Sequence, residues 1–476
     1  MSPRVFPSHP LLSKSAVEQA ELIRRGEVSS SQLVEASLEA VAANQDLNAV
    51  VWLDAEGALA QAKAVAPGDP RPFAGVPMLI KELTPVAGQP WRMGSRLFAQ
   101  HKAPADAFTV RRLREAGFVL IGQSASPEFG IVPVTEGSLH GPTRNPWDLD
   151  RTPGGSSGGA AAAVAAGILS AAHASDGGGS IRIPAACCGL VGLKASRGRL
   201  SAGPFVGDSF LGIQGVVSRT VADSARLLDV LQGYEVGDST WAPPPAATYA
   251  EALRQPPGPL RVAALSVAPT TGLEPDPLTL AGVRKAAELL ERHGHAVEWA
   301  QPPGWVNPRL IEQFTALWAS GVASNTLWGA SLQGRPPRPD DVEALTWYFT
   351  EMGMKLPAVA YLNALESLKN YARGLVGFFQ KYDLLLTPTL AERPLPIGEL
   401  NTEAAEPLSA FNRAEAFTPY TATWNVTGQP AVSLPLFAAT DGLPVGVQLV
   451  AAPLREDLLL ALAAQLEATH GWNRPL

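Results

Sequence analysis

The chain has 476 residues, 46% of them hydrophobic and 17% charged, with a net charge of −7. That is apolar enough for a large core, and Gly plus Pro at about 18% falls short of low-complexity disorder. The mild acidity, without a basic stripe, argues against nucleic acid as the main ligand.

Length alone would suggest about three domains. No apolar run reaches membrane-spanning length, and the first residues lack the apolar stretch of a secretory leader, so a soluble, cytoplasmic chain with no membrane contact is expected. The two cysteines, Cys187 and Cys188, are adjacent, which excludes a disulfide framework.

In chain order, helical spacing of apolar residues runs over 14–41, with Gly26 ending a first helix and Ser29 or Ser30 capping a second. A third helix is predicted over 56–65. The apolar stretch 76–80 then reads as a strand that delivers Lys81 at its end. A helix over 109–116, a strand over 118–121, an Ala-rich helix over 160–168 and a strand over 170–174 follow. Beyond the proline-rich stretch 241–260, the best boundary candidate, come a strand at 260–266, a helix at 279–292 and a strand at 296–299. Residues 305–380 are helical and rich in aromatics, and strands at 384–387, 431–436 and 446–451 close the chain. This alternation argues for an α/β fold.

Two clusters carry the chemistry: Gly154-Gly155-Ser156-Ser157-Gly158-Gly159, leading into a helix, and Asp176-Gly177-Gly178-Gly179-Ser180, leaving a strand. Three glycines before a serine strip side chains from the backbone, so N–H groups can converge on one point as an oxyanion hole requires. A serine nucleophile needs a base, and none of the seven histidines has a local signal for that role. Lys81, desolvated at the end of an apolar strand, would have a lowered pKa and could accept a proton. The plain alternative is a surface lysine.

With GVPMLIK, NPWDLDRTPGGSSGGAAAAVAAG, SDGGGSIRIPAACCGLVGLKASRGR, NVTGQPAVSLPL and GLPVGVQLVA in that order, the sequence resembles the amidase signature family over nearly its whole length. The resemblance implies an α/β fold with a large mixed β-sheet covered by helices on both faces. It also implies a single domain over 1–476, with a catalytic core at about 70–220 and a variable pocket segment at about 305–420. The implied triad is Lys81 as base, Ser156 as bridging serine on a cis peptide and Ser180 as nucleophile, with the N–H groups of Gly177, Gly178, Gly179 and Ser180 holding the oxyanion. Ser175 would join the relay, and Asp176 with Arg182 would pin the glycine loop. The expected activity is amide hydrolysis through an acyl-enzyme, on a small-molecule amide, with no cofactor or metal and with a homodimer as the candidate assembly.

The cluster around Ser180 is most similar to the branch of the family that includes 6-aminohexanoate cyclic dimer hydrolases. Departures from the family pattern fall at Glu82, Gln123, Ala125, Ser175 and Gly177. The aromatics of 305–380 suggest an apolar pocket, though such a stripe also serves as core. Three other readings compete. Gly154-x-Ser156-x-Gly158 fits a nucleophile elbow with Ser156 as nucleophile, but the turn-like NPWDLDRTPGG stands where that motif needs a strand. Residues 117–124 approach a P-loop, yet their central residues are apolar and strand-like. Within the family, the glutaminase subunit of a tRNA-dependent amidotransferase would use the same triad.

Overall fold

The computed structural model describes residues 9–207 and 209–476; residues 1–8, which form the start of the stretch read for a leader, lie outside them. The strands are β1 (Val50–Leu53), β2 (Pro77–Lys81), β3 (Val119–Ser124), β4 (Ala171–Asp176), β5 (Val191–Lys194), β6 (Ile213–Ser218), β7 (Arg261–Ala264), β8 (Ala296–Trp299), β9 (Leu384–Pro388), β10 (Ala431–Ala438), β11 (Pro444–Ala451) and β12 (Arg474–Pro475). A large mixed sheet runs β4-β6-β5-β10-β11-β9-β7-β8, with β12 paired to β10. It is antiparallel from β4 to β9 and parallel where β7 meets β8 and β9.

A second sheet, β1-β3-β2, stands beside it. β2 packs against β4, where the Lys81 N–H donates to His173 Nδ1 at 3.4 Å.

Alternation along the strands explains the layers, because successive side chains leave opposite faces. Met78 and Ile80 of β2, Leu120 of β3, Val216 of β6, and Val432 and Leu434 of β10 enter one core, together with the helices Ala16–Arg24, Val221–Leu231, Pro277–Arg292 and Glu456–Thr469. Leu79, Val119, Ile121 and Val217 enter the other, packing on the helices Ser30–Ala43, Gly158–Ala165, Arg182–Cys188 and Leu310–Leu332. Helices therefore cover both faces. The cap of the second helix is Ser29, whose side chain accepts the Gln32 N–H while Gln32 returns the bond to the Ser29 N–H.

The proline-rich stretch 241–260 is packed rather than free. The Ala242 N–H donates to the Gly198 carbonyl, and Tyr249 is buried. Among the described residues no helix is long and apolar enough to cross a membrane.

Candidate active site

β2 ends on a fully buried Lys81, β4 ends on Asp176, and the polar loop 152–157 runs between them into the helix Gly158–Ala165. These three ends meet. Lys81 Nζ lies 2.7 Å from Ser156 Oγ and 3.2 Å from Ser175 Oγ, and the Gly155–Ser156 peptide is cis. Burial lowers the Lys81 pKa to about 7 against the opposing pull of Asp176 and Glu82. Its neighbour His173 is held neutral, at about 3, by burial and by Lys81. Because His173 Nδ1 accepts from the Lys81 N–H, Nε2 carries the proton and donates to Gln214 Oε1 at 3.1 Å.

Asp176 pins the glycine loop. It receives Arg182 through both carboxylate oxygens at 3.0 Å, and also the N–H groups of Gly179 (2.7 Å) and Ile181 (3.2 Å). Burial would raise its pKa, but Arg182 and Asn425 outweigh that and hold it at about 2. Arg182, wholly buried, spends its remaining donors on the Thr421 carbonyl, Gln448 Oε1 and Asn425 Oδ1. An ion pair so enclosed persists because every donor is satisfied.

The loop geometry corrects one expectation. The Gly179 N–H is spent on Asp176, so it is not aimed at a substrate oxygen, and Gly177, Gly178 and Ser180 are left as the candidate donors. Gly179 is required on its own account, since it sits at φ 139° and a Cβ there would come within 2.3 Å of Thr421 Oγ1.

Ser180 lines a cavity of about 100 Å³, open to solvent and walled by Ile131, Ile183, Leu310, Phe314, Trp318 and Phe411 among others. Of Lys81, Ser156 and Ser180, only Ser180 lines it. Phe314 and Trp318, from the aromatic segment, stack at 5.0 Å over the glycine loop. A Cβ on Gly177 would stand 3.4 Å from the indole, and one on Gly178 3.5 Å from Phe314. Other aromatics of that segment are core: Phe349 is fully buried, and Trp328 packs with Trp91 and Phe98.

The remaining departures from the family pattern are structural. Glu82 is buried and accepts the Ser126 N–H at 2.9 Å, with His140 Nε2 at 3.0 Å from its other oxygen. Gln123 donates to the Pro90 carbonyl at 2.7 Å. Residues 119–124 are strand β3, which leaves no phosphate-binding loop there.

Sequence reasoning assigned no role to Asn425 and Gln448, although both lie in the tail motifs NVTGQPAVSLPL and GLPVGVQLVA. It also missed the buried Glu128, which accepts Ser95 Oγ–H at 2.6 Å and the Glu343 N–H at 2.8 Å. Burial and the nearby Glu343 push its carboxyl up to about 7. Glu343 in turn accepts from the Ser138 N–H and Thr402 Oγ1, so the pair ties the pocket-side loop to the variable segment. A buried Glu separated from its partner by more than 200 residues leaves no local signature.

The model of the Amidase family matches residues 32–460. The chain belongs to the amidase family. This amidase is 40% identical over 475 residues to the 6-aminohexanoate-cyclic-dimer hydrolase of Paenarthrobacter ureafaciens, covering 97% of the chain and 96% of that protein. It is 39% identical over the same span to the enzyme of that name from Pseudomonas sp. (strain NK87), again covering 97% and 96%. A solved structure of 6-aminohexanoate cyclic dimer hydrolase complexed with substrate superposes with a TM-score of 0.91 at 37% identity, covering 98% of this amidase and 99% of that chain.

Proposed function

We propose that this amidase hydrolyses a small-molecule carboxamide through an acyl-enzyme on Ser180, with Ser156 relaying protons to Lys81. The observation that carries this reading is that one hydrogen-bonded pair, Lys81 and Ser156, is sealed in the interior while the loop beyond it brings Ser180 into the cavity. Neutral Lys81 takes the proton of Ser156 Oγ as Ser156 takes that of Ser180 Oγ. The freed Ser180 oxygen attacks the amide carbon. Negative charge developing on the carbonyl oxygen meets the N–H groups of Gly177, Gly178 and Ser180. The protons return through Ser156 to the leaving nitrogen, the C–N bond breaks, and water then cleaves the acyl ester by the same relay. The products are a carboxylate and an amine or ammonia.

The similarity to 6-aminohexanoate-cyclic-dimer hydrolases supports a linear or cyclic amide as substrate. Glutamine fits the cavity poorly, because its α-carboxylate would find no Lys or Arg among the lining residues. Ser156 suits the elbow role poorly too, since no strand precedes it and its partner is a lysine. We read the whole chain as one domain. In support, β10 and β11, near the C-terminus, pair with β5 and β9, and the groups around Ser180 come from positions 81 to 448.

A sulfonyl fluoride followed by peptide mass spectrometry tests the assignment. Label on Ser180, abolished by Ser180→Ala, is expected; label on Ser156 alone would overturn the roles.

A further inference from the structure

The cavity above Ser180 has twenty lining residues, and Glu415 is the only one that carries a formal charge. The helix Pro407–Phe417 presents Phe411, Ala414 and Glu415 to the cavity, with Thr418 just beyond its end. This three-to-four-residue spacing marks one helix face, so Glu415 belongs to the cavity wall and not to the outer surface of the helix.

Its carboxylate has no hydrogen bond or ion pair among the described residues. The nearest cation in sequence, Arg413, is fully committed on another side, to Glu392 at 2.8 Å and Glu399 at 2.6 Å. Arg309, next in sequence to the lining residue Leu310, is itself exposed and lies 3.8 Å from Glu312. Half-buried and without a protein partner among the described residues, this carboxylate stands free on an otherwise uncharged, aromatic-lined wall. Carboxylate and aromatic faces together attract one kind of group, an alkyl chain ending in a cation.

We infer that Glu415 is a specificity residue, and that the amides this site takes carry a protonated primary amine on the part filling the cavity. The aliphatic stem would lie against Leu310, Phe314 and Phe411, and the ammonium would meet Glu415. The inference rests on the reading of this cavity as the substrate site. It does not require the order of proton transfers.

Calorimetric titration of the full chain with n-hexylammonium and with 1-hexanol tests it without turnover. The ammonium should bind about ten-fold more tightly, the size expected for a charge-assisted hydrogen bond, and the preference should shrink as salt is raised. Glu415→Gln should bring the ratio close to one, and Glu415→Lys should shift the preference toward hexanoate. Equal affinities in the unaltered protein, binding of neither ligand, or a ratio unchanged in Glu415→Gln would overturn the inference. Sulfonyl labelling of Ser156 would instead overturn the catalytic reading, and that result does not depend on Glu415.

Discussion

Gly177 shows how one position is set by a partner far away in sequence. The family pattern commonly places Thr or Ile there, and in this chain the indole of Trp318 occupies the space such a side chain would fill. A bare Cβ at 3.4 Å is in ordinary contact, but γ-carbons would drive into the ring. Gly177→Ala should therefore be nearly silent, whereas Gly177→Ile should lower kcat/KM by about ten-fold or more through displacement of the glycine loop and the aromatic stack. The double variant with Trp318→Ala should recover part of the loss, and steady-state kinetics on all four proteins reads the coupling. Independent, multiplicative effects would contradict this steric pairing. Trp318 Nε1 has no hydrogen-bond partner among the described residues, so little but packing holds the ring in place.

The elements that carry the site are held by close approach. The helix Gly158–Ala165 is buried along its whole length, and a Cβ on Gly159 would come within 2.3 Å of the Ala125 backbone nitrogen. Small residues at its start let that helix press on the end of β3 and so place Ser156 beside Lys81. Gly159→Ala is expected to cost about 1–3 kcal/mol by overpacking, measured as a lower midpoint in urea; an unchanged midpoint would show that the contact relaxes freely. The same tightness hid two strands from the sequence. Gly192 in β5 and Gly215 in β6 leave room for Ala185 and Ile181, and interior glycines weaken a strand signal. The helix Pro277–Arg292, whose apolar period carries through Gly282, and β9, which has no interior glycine, were readable within a few residues.

Across the whole molecule, the glycine loop at 176–180 is braced by residues from far down the chain. Arg182 reaches Asn425 and Gln448, while Thr421 Oγ1–H donates to the Gly178 carbonyl at 2.6 Å. Lys81, Ser156 and Ser180 stood out as candidates because each lies in a dense local pattern of glycine, serine and apolar residues. The bracing residues are single polar side chains, Gln448 on β11 and Thr421 and Asn425 at the helix Ala422–Thr427, that only the tertiary fold brings to the loop. The second sheet went unread for a similar reason, since which strands pair across it is set by tertiary contacts and not by any local pattern.

The account stands on a neutral, buried Lys81 drawing protons through Ser156, and the pH dependence of kcat/KM on a neutral amide tests it most directly. Lysine is a base only when deprotonated, so activity should climb as pH rises through about 7 and level off above it. Lys81→Ala and Lys81→Arg should both lose most activity at every pH, because neither offers a deprotonatable amine. A Lys81→Ala enzyme that kept the unaltered rate and the same rise near neutral pH would contradict the account.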